Sequence, residues 1–125
     1  MTTQESTALL AAINSASNTW KQAFNEGNAA GCAAQYEPDA TMQANPFGTF
    51  IGTEAITNFW QKLIDDGFSD VEYALPKIEV VDSRSAILSA NWTMNKASGV
   101  IHKELWVLQD DGSAKLREDV FEALA

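Results

Sequence analysis

The stretch Ala86-Ile87-Leu88-Ser89-Ala90-Asn91-Trp92-Thr93-Met94-Asn95 sorts its side chains into two sets at every second position. Ala86, Leu88, Ala90, Trp92 and Met94 fall on one side, and Ile87, Ser89, Asn91 and Thr93 on the other. A period of two belongs to an extended strand, whose successive side chains point to opposite faces. The same period continues downstream through Val100 to Gln109 and through Ala114 to Ala123. Upstream, Val71, Tyr73 and Leu75 alternate until the phase slips at Pro76 and resumes at Ile78 and Val80. A proline combined with a phase slip predicts a bulged, bent strand. The short polar segments Asp82-Ser83-Arg84, Ala97-Ser98-Gly99 and Asp110-Asp111-Gly112 read as turns between these strands.

Before Gly67 the period is near 3.6. Leu9, Ile13, Ala16, Trp20 and Phe24 share one helical face, Thr2 and Glu5 have capping-box spacing, and Gly27 marks a stop. Asn28 is placed to cap a short second helix through Ala29 to Tyr36, which Pro38 ends. Thr41 to Ala44 is strand-like and Asn45-Pro46-Phe47-Gly48 turns it. A third helix starts at Gly52-Thr53-Glu54, presents Ile56, Phe59, Trp60, Leu63 and Ile64, and closes at Gly67. Helices first and a strand meander afterwards predict an α+β fold, three N-terminal helices packed on one face of a curved, largely antiparallel sheet.

Neither sheet face is polar when strict alternation is applied. One side of the strand at 100–109 carries His102, Glu104, Trp106 and Leu108, the other Ile101, Lys103, Leu105 and Val107. Such a pattern fits a second face buried against another subunit, or a cavity lined by polar inward residues, or both. A face carrying Trp92 and Trp106 without helices would be a large apolar patch of the kind found at interfaces. The expectation is a homodimer through that outer sheet face; packing of the two tryptophans under the helices is the alternative.

Composition narrows the function. Of 125 residues, 46% are apolar and 20% charged, an ordinary globular mixture. Eight Lys and Arg stand against 17 Asp and Glu, a net charge of −9, which works against nucleic-acid phosphates and anionic membranes. Apolar runs are only a few residues long, far short of the roughly 20 needed to cross a bilayer. With no basic-then-apolar leader pattern, a cytoplasmic protein is expected. Cys32 is the single cysteine, which excludes an intrachain disulfide and reads as a small buried core residue. His102 is the single histidine, so two-histidine metal sites are excluded. Neither a metal site nor another cofactor is expected.

Trp20-Lys21-Gln22-Ala23-Phe24-Asn25-Glu26-Gly27-Asn28, Tyr36-Glu37-Pro38-Asp39-Ala40-Thr41-Met42 and Gly52-Thr53-Glu54-Ala55-Ile56-Thr57-Asn58-Phe59-Trp60 occur in that order. They resemble the SnoaL-like and ketosteroid-isomerase-like branches of the nuclear transport factor two superfamily, over about residues 6 to 123. The resemblance implies a single SnoaL-like domain spanning 1–125, with a strongly curved sheet forming a cone around a central pocket. It also implies dimers through the outer sheet face. The ketosteroid isomerase acids and tyrosine fall on Asn45, Leu105 and Trp20, which argues against steroid-type isomerisation. Limonene epoxide hydrolase matches better. Its water-holding asparagine falls on Asn45 and a catalytic aspartate on Asp119, but its arginine and second aspartate fall on Asn91 and Thr93.

Asp119 is therefore the candidate catalytic base. In a pocket lined by Trp20, Trp60, Leu105 and Phe121 it would be desolvated and its pKa raised. Gln43, Asn45, Asn91 and Thr93 are candidates to orient water or a carbonyl oxygen, and Lys103 and Arg117 are the cations available to an anionic ligand. Pairing of Asp119 with Lys103 or Arg117 is the structural alternative. The expected partner is a small hydrophobic or aromatic molecule, handled by a cofactor-free cyclase, isomerase or hydrolase, or held by a non-catalytic binding or assembly module.

Overall fold

The computed structural model describes residues 3–124, with side chains from residue 6, so the capping role of Thr2 and Glu5 lies outside the described residues. The elements are α1 (Thr3–Asn25), α2 (Ala29–Ala33), β1 (Tyr36–Asn45), β2 (Gly48–Ile51), α3 (Thr53–Asp65), β3 (Glu72–Asp82), β4 (Ser85–Thr93), β5 (Ser98–Leu108) and β6 (Ala114–Leu124). In α1, Leu9, Ile13, Ala16, Trp20 and Phe24 are all buried, the stripe that the 3.6 period predicts. Asn28 accepts the Gly31 N–H at 2.9 Å and so caps α2, but α2 stops at Ala33, and Tyr36 and Pro38 belong to β1 instead of ending the helix. Gly27 and Gly67 follow α1 and α3 with positive φ, where a side chain would be strained.

The strands form one six-stranded sheet in the order β2-β1-β6-β5-β4-β3. β3 to β6 are an antiparallel meander, while β1 runs parallel to β6, so the sheet is mixed. The fold is α+β as predicted, but the strongly curved cone is not what forms. The sheet is open, with β2 and β3 as two separate edges. The edges do not meet because β2 is only four residues long and pairs with β1 alone, and α3 separates it from β3. α1 lies against β5 and β6, and α3 against β1 and β2.

Three bulges set which residues face the helices. In β3 the register with β4 slips between Ala74 and Lys77, where Leu75 adopts a positive φ beside Pro76, in agreement with the phase slip in the sequence. In β5, Ile101 pairs with Phe121 but Lys103 with Val120, leaving His102 as the extra residue. In β6, Leu105 pairs with Glu118 but Trp106 with Leu116, leaving Arg117 extra. Each insertion reverses the parity of everything beyond it. Consequently Ile101, Glu104 and Trp106 all point into the core, and His102 points out to bond Glu122 at 3.0 Å. Trp92 and Trp106 are 6% and 1% exposed and belong to the helix-covered core. The outer-face tryptophan patch expected to carry a homodimer therefore does not exist: the alternative, packing under the helices, is the one realised.

Candidate functional site

Between the helices and the inner sheet face lies an apolar cavity of about 90 Å³. α1 contributes Trp20, α3 Phe59, Trp60 and Leu63, and the strands Tyr73, Trp92, Ile101, Glu104, Asp119 and Phe121. Aromatic contacts build its wall. Trp20 meets Trp60 edge-on with centroids 5.0 Å apart, and Trp60 stacks on Phe121 at 5.7 Å. Such pairs are held by ring electrostatics in addition to burial.

Two carboxyl groups stand in this wall. Glu104 on β5 and Asp119 on β6 are direct register partners, 4% exposed each. Asp119 Oδ2 accepts the Tyr36 hydroxyl at 2.6 Å, and Asp119 Oδ1 accepts no hydrogen bond among the described residues. Both oxygens of Glu104 are occupied: Oε1 accepts the Trp106 indole N–H at 3.0 Å and Oε2 the Tyr73 hydroxyl at 3.3 Å. Neither forms a salt bridge among the described residues. Burial pushes Asp119 up to about 7 against the pull of the Tyr36 hydrogen bond. Burial, and then repulsion from Asp119, push Glu104 up to about 8 against the hydrogen bonds from Trp106 and Tyr73. Two buried carboxyls so close resist double ionisation, so near neutrality the pair holds about one proton. The same burial, with the nearby carboxylate charge, raises both tyrosines well above their ordinary range, so they are donors.

Asp119, Trp20, Trp60 and Phe121 thus meet in one cavity. The other sequence candidates do not reach it. Gln43 and Asn45 alternate with the buried Met42 and Ala44 on β1, and Asn91 and Thr93 with the buried Ala90 and Trp92 on β4, so all four are exposed on the far face. Leu105 is half-buried outside, one residue past Glu104. Lys103 pairs with Glu118 at 2.6 Å and Arg117 with Glu37 at 2.7 Å, both outside. The bulges at His102 and Arg117 put these cations outward while returning Glu104 and Asp119 inward. Reading by unbroken alternation missed Glu104, because no residue type marks the bulge in β5, and it missed Tyr36, which starts β1 and does not end the second helix, and Tyr73 on β3. Cys32 is buried, its thiol pushed up to about 12 by desolvation, which suits a core residue. Among the described residues, no group of three or more His, Cys, Asp or Glu side chains is placed to hold a metal ion. No helix among them is long and apolar enough to cross a membrane.

No curated protein matches this sequence. Solved structures share the fold. A candidate scytalone dehydratase from Novosphingobium aromaticivorans is 15% identical, with a TM-score of 0.83 over 99% of this chain and 89% of that one. A ketosteroid isomerase-like protein from Erwinia carotovora atroseptica is 15% identical, with a TM-score of 0.77 over 93% and 96%. ActVI-ORFA from Streptomyces coelicolor is 15% identical, with a TM-score of 0.76 over 92% and 96%. At these identities the likeness is one of fold. The family model described as a SnoaL-like domain matches residues 18–113, and on that match the chain belongs to the SnoaL-like family.

Proposed function

We propose that this protein binds a small, uncharged aromatic or hydrophobic molecule in the cavity and acts on it by acid–base chemistry. The observation that carries this reading is the pair Asp119 and Glu104. Two carboxyl groups are buried in an apolar wall without a salt bridge among the described residues, an arrangement that costs stability. It is also the usual means of holding a carboxyl near neutral pKa. Asp119 is the base. It lines the cavity, its Oδ1 has no donor among the described residues, and the Tyr36 hydroxyl fixes the other oxygen. Glu104, held from both sides by Trp106 and Tyr73, keeps the second proton site next to it. The pair can remove a proton beside an activating group and return it elsewhere, as isomerisation, dehydration or cyclisation requires; Oδ1 can equally activate a water for hydrolysis. The dehydratase and isomerase-like relatives by fold are compatible with the same class of chemistry.

Proton abstraction is read directly as hydrogen–deuterium exchange beside the carbonyl of small aryl ketones in D2O, followed by NMR. Asp119→Asn should lower the enzyme-dependent exchange by at least ~100-fold, within the ~10²–10⁴ range for a positioned acid or base, while ketone binding persists. Equal exchange in the variant and the wild type would remove Asp119 from catalysis. Binding without exchange in the wild type would make the protein a carrier.

A further inference from the structure

The side chains that line the cavity differ sharply in how far they are buried. Its depth is built from residues no more than 8% exposed, Trp20, Phe59, Trp60 and Phe121 among them. Phe68, Met94, Ala97 and Ala123 are half-buried and form a rim. Phe47 stands apart from both sets. It lines the cavity and is also 58% exposed, and among the described residues it is the one lining side chain more than half exposed. A side chain with one flank on a cavity and the other in solvent stands at a mouth.

The rim is held firmly where the α3–β3 and β4–β5 connections meet. The Asn95 side chain accepts the Ser69 N–H at 3.0 Å and donates to the Gly67 carbonyl at 2.9 Å, while its own N–H donates to the Ser69 carbonyl at 3.0 Å. Lys96 Nζ donates to the Asp66 carbonyl at 2.8 Å and lies 5.6 Å from the centroid of the Phe68 ring. Phe47 has a looser setting. It belongs to the turn between β1 and β2, β2 is a four-residue edge strand paired with β1 alone, and the Phe47 ring meets Phe59 at 6.1 Å in a tilted contact.

Volume decides what must give way. About 90 Å³ is less than the roughly 150 Å³ of an engineered apolar cavity that takes benzene. A ligand with an aromatic ring and a substituent therefore has to displace part of the wall. Moving Trp60 or Phe121 would break a stacked pair inside the core. Moving Phe68 would strain the Asn95 and Lys96 hydrogen bonds. Turning Phe47 outward exposes a ring that is already mostly in water, so it gives up little apolar burial.

We propose that Phe47 is the specificity-determining residue at the entrance of the cavity: the ligand enters past its ring, and the side chain at this position limits the size of aromatic ligand admitted. This inference rests on the reading of the cavity as a ligand site and adds where that site opens and what sets its upper size.

The test compares two uncharged aryl ketones, acetophenone with one ring and 2-acetonaphthone with two fused rings, each titrated into the ¹⁵N-labelled whole chain and followed by NMR. The wild type should bind acetophenone more tightly. Phe47→Ala should shift the affinity ratio toward the larger ketone by about tenfold or more, the discrimination that a small change in pocket room supplies. Phe47→Leu should shift it the same way by less, and it carries the test if the alanine variant fails to fold. Leu75→Ala removes another exposed apolar side chain, 78% exposed and away from the cavity lining, and should leave the ratio unchanged. A ratio that is the same in the Phe47 variants and the wild type overturns the proposal, as does an equal loss of affinity for both ketones, which would make Phe47 a plain wall. So does a ratio that Leu75→Ala moves as far as Phe47→Ala. If neither ketone binds the wild type or the variants, the ligand-site reading falls with the proposal; if acetophenone binds and the ratio stays put, the site stands and only the role of Phe47 falls.

Discussion

At the residue scale, Asp119 and Glu104 carry a measurable consequence for stability. Their folded pKa values, about 7 and about 8, lie above the unfolded values of roughly 3.9 and 4.3. Groups raised in this way bind protons more tightly in the folded state. Their contribution is therefore fully present below about pH 4 and is lost as pH rises through the folded values. The pair therefore destabilises the fold progressively as pH rises from about 4 to 9. Glu104→Gln removes one ionisation and the repulsion it exerts on Asp119. Gln keeps an acceptor oxygen for Trp106 or Tyr73, so acid-side stability should change little. The expected result is a Tm that falls less steeply than the wild type's between about pH 5 and pH 9 in scanning calorimetry. Parallel curves would show that Glu104 is not held neutral by burial.

At the element scale, one extra residue in β5 and one in β6 decide what the sheet presents to the helices. Without them, strict alternation puts Arg117 beside Asp119 and moves Glu104 to the far face, as the unbroken period suggests. Bulges are local backbone choices made by the neighbouring strands, and neither His102 nor Arg117 advertises them. The slip in β3 was legible because Pro76 cannot donate to a ladder. The helices were legible for a different reason: Leu9, Ile13, Trp20 and Phe24 on α1, and Ile56, Phe59 and Trp60 on α3, repeat with the helical period and all are buried. The start of β5 offers a sharp test of strand packing. A Cβ built on Gly99 would run into the Glu122 carbonyl oxygen and the Trp92 indole ring. The first is backbone of the paired strand and the second is a wall of the cavity, so neither yields easily. Gly99→Ala should destabilise by roughly 2 kcal/mol or more, the scale of overpacking in a tight core. Urea unfolding monitored by tryptophan fluorescence measures it; a wild-type midpoint in the variant would refute the close approach.

At the scale of the whole molecule, a net charge of −9 resides on a chain with only eight Lys and Arg, and several of those are already paired. Lys103 holds Glu118, Arg117 holds Glu37 and Arg84 holds Asp110, all at the surface. The uncompensated remainder repels itself across a small volume, and salt screens that repulsion within a Debye length of about 10 Å at 0.1 M. Raising NaCl from about 0.02 to 0.5 M at pH 7.5 should therefore raise Tm by about 2–5 °C, the response to roughly 1 kcal/mol in a domain of this size. A Tm that falls with salt would mean that the surface pairs outweigh the net repulsion.

The amino-acid order by itself determined the three helices and the four-strand meander, their sequence in the chain, the α+β class and the buried faces of α1 and α3, but not β2 or the first half of β1. These depend on period and on turn residues, which act over a few neighbours. It also placed Asp119 among aromatic residues. The tertiary structure alone decided that the sheet stays open, that Trp92 and Trp106 lie under the helices, and that Glu104 and Asp119 stand side by side with Lys103 and Arg117 outside. Those outcomes depend on strand register across the sheet. A register is a property of two strands at once, and a single inserted residue reverses every side chain that follows it.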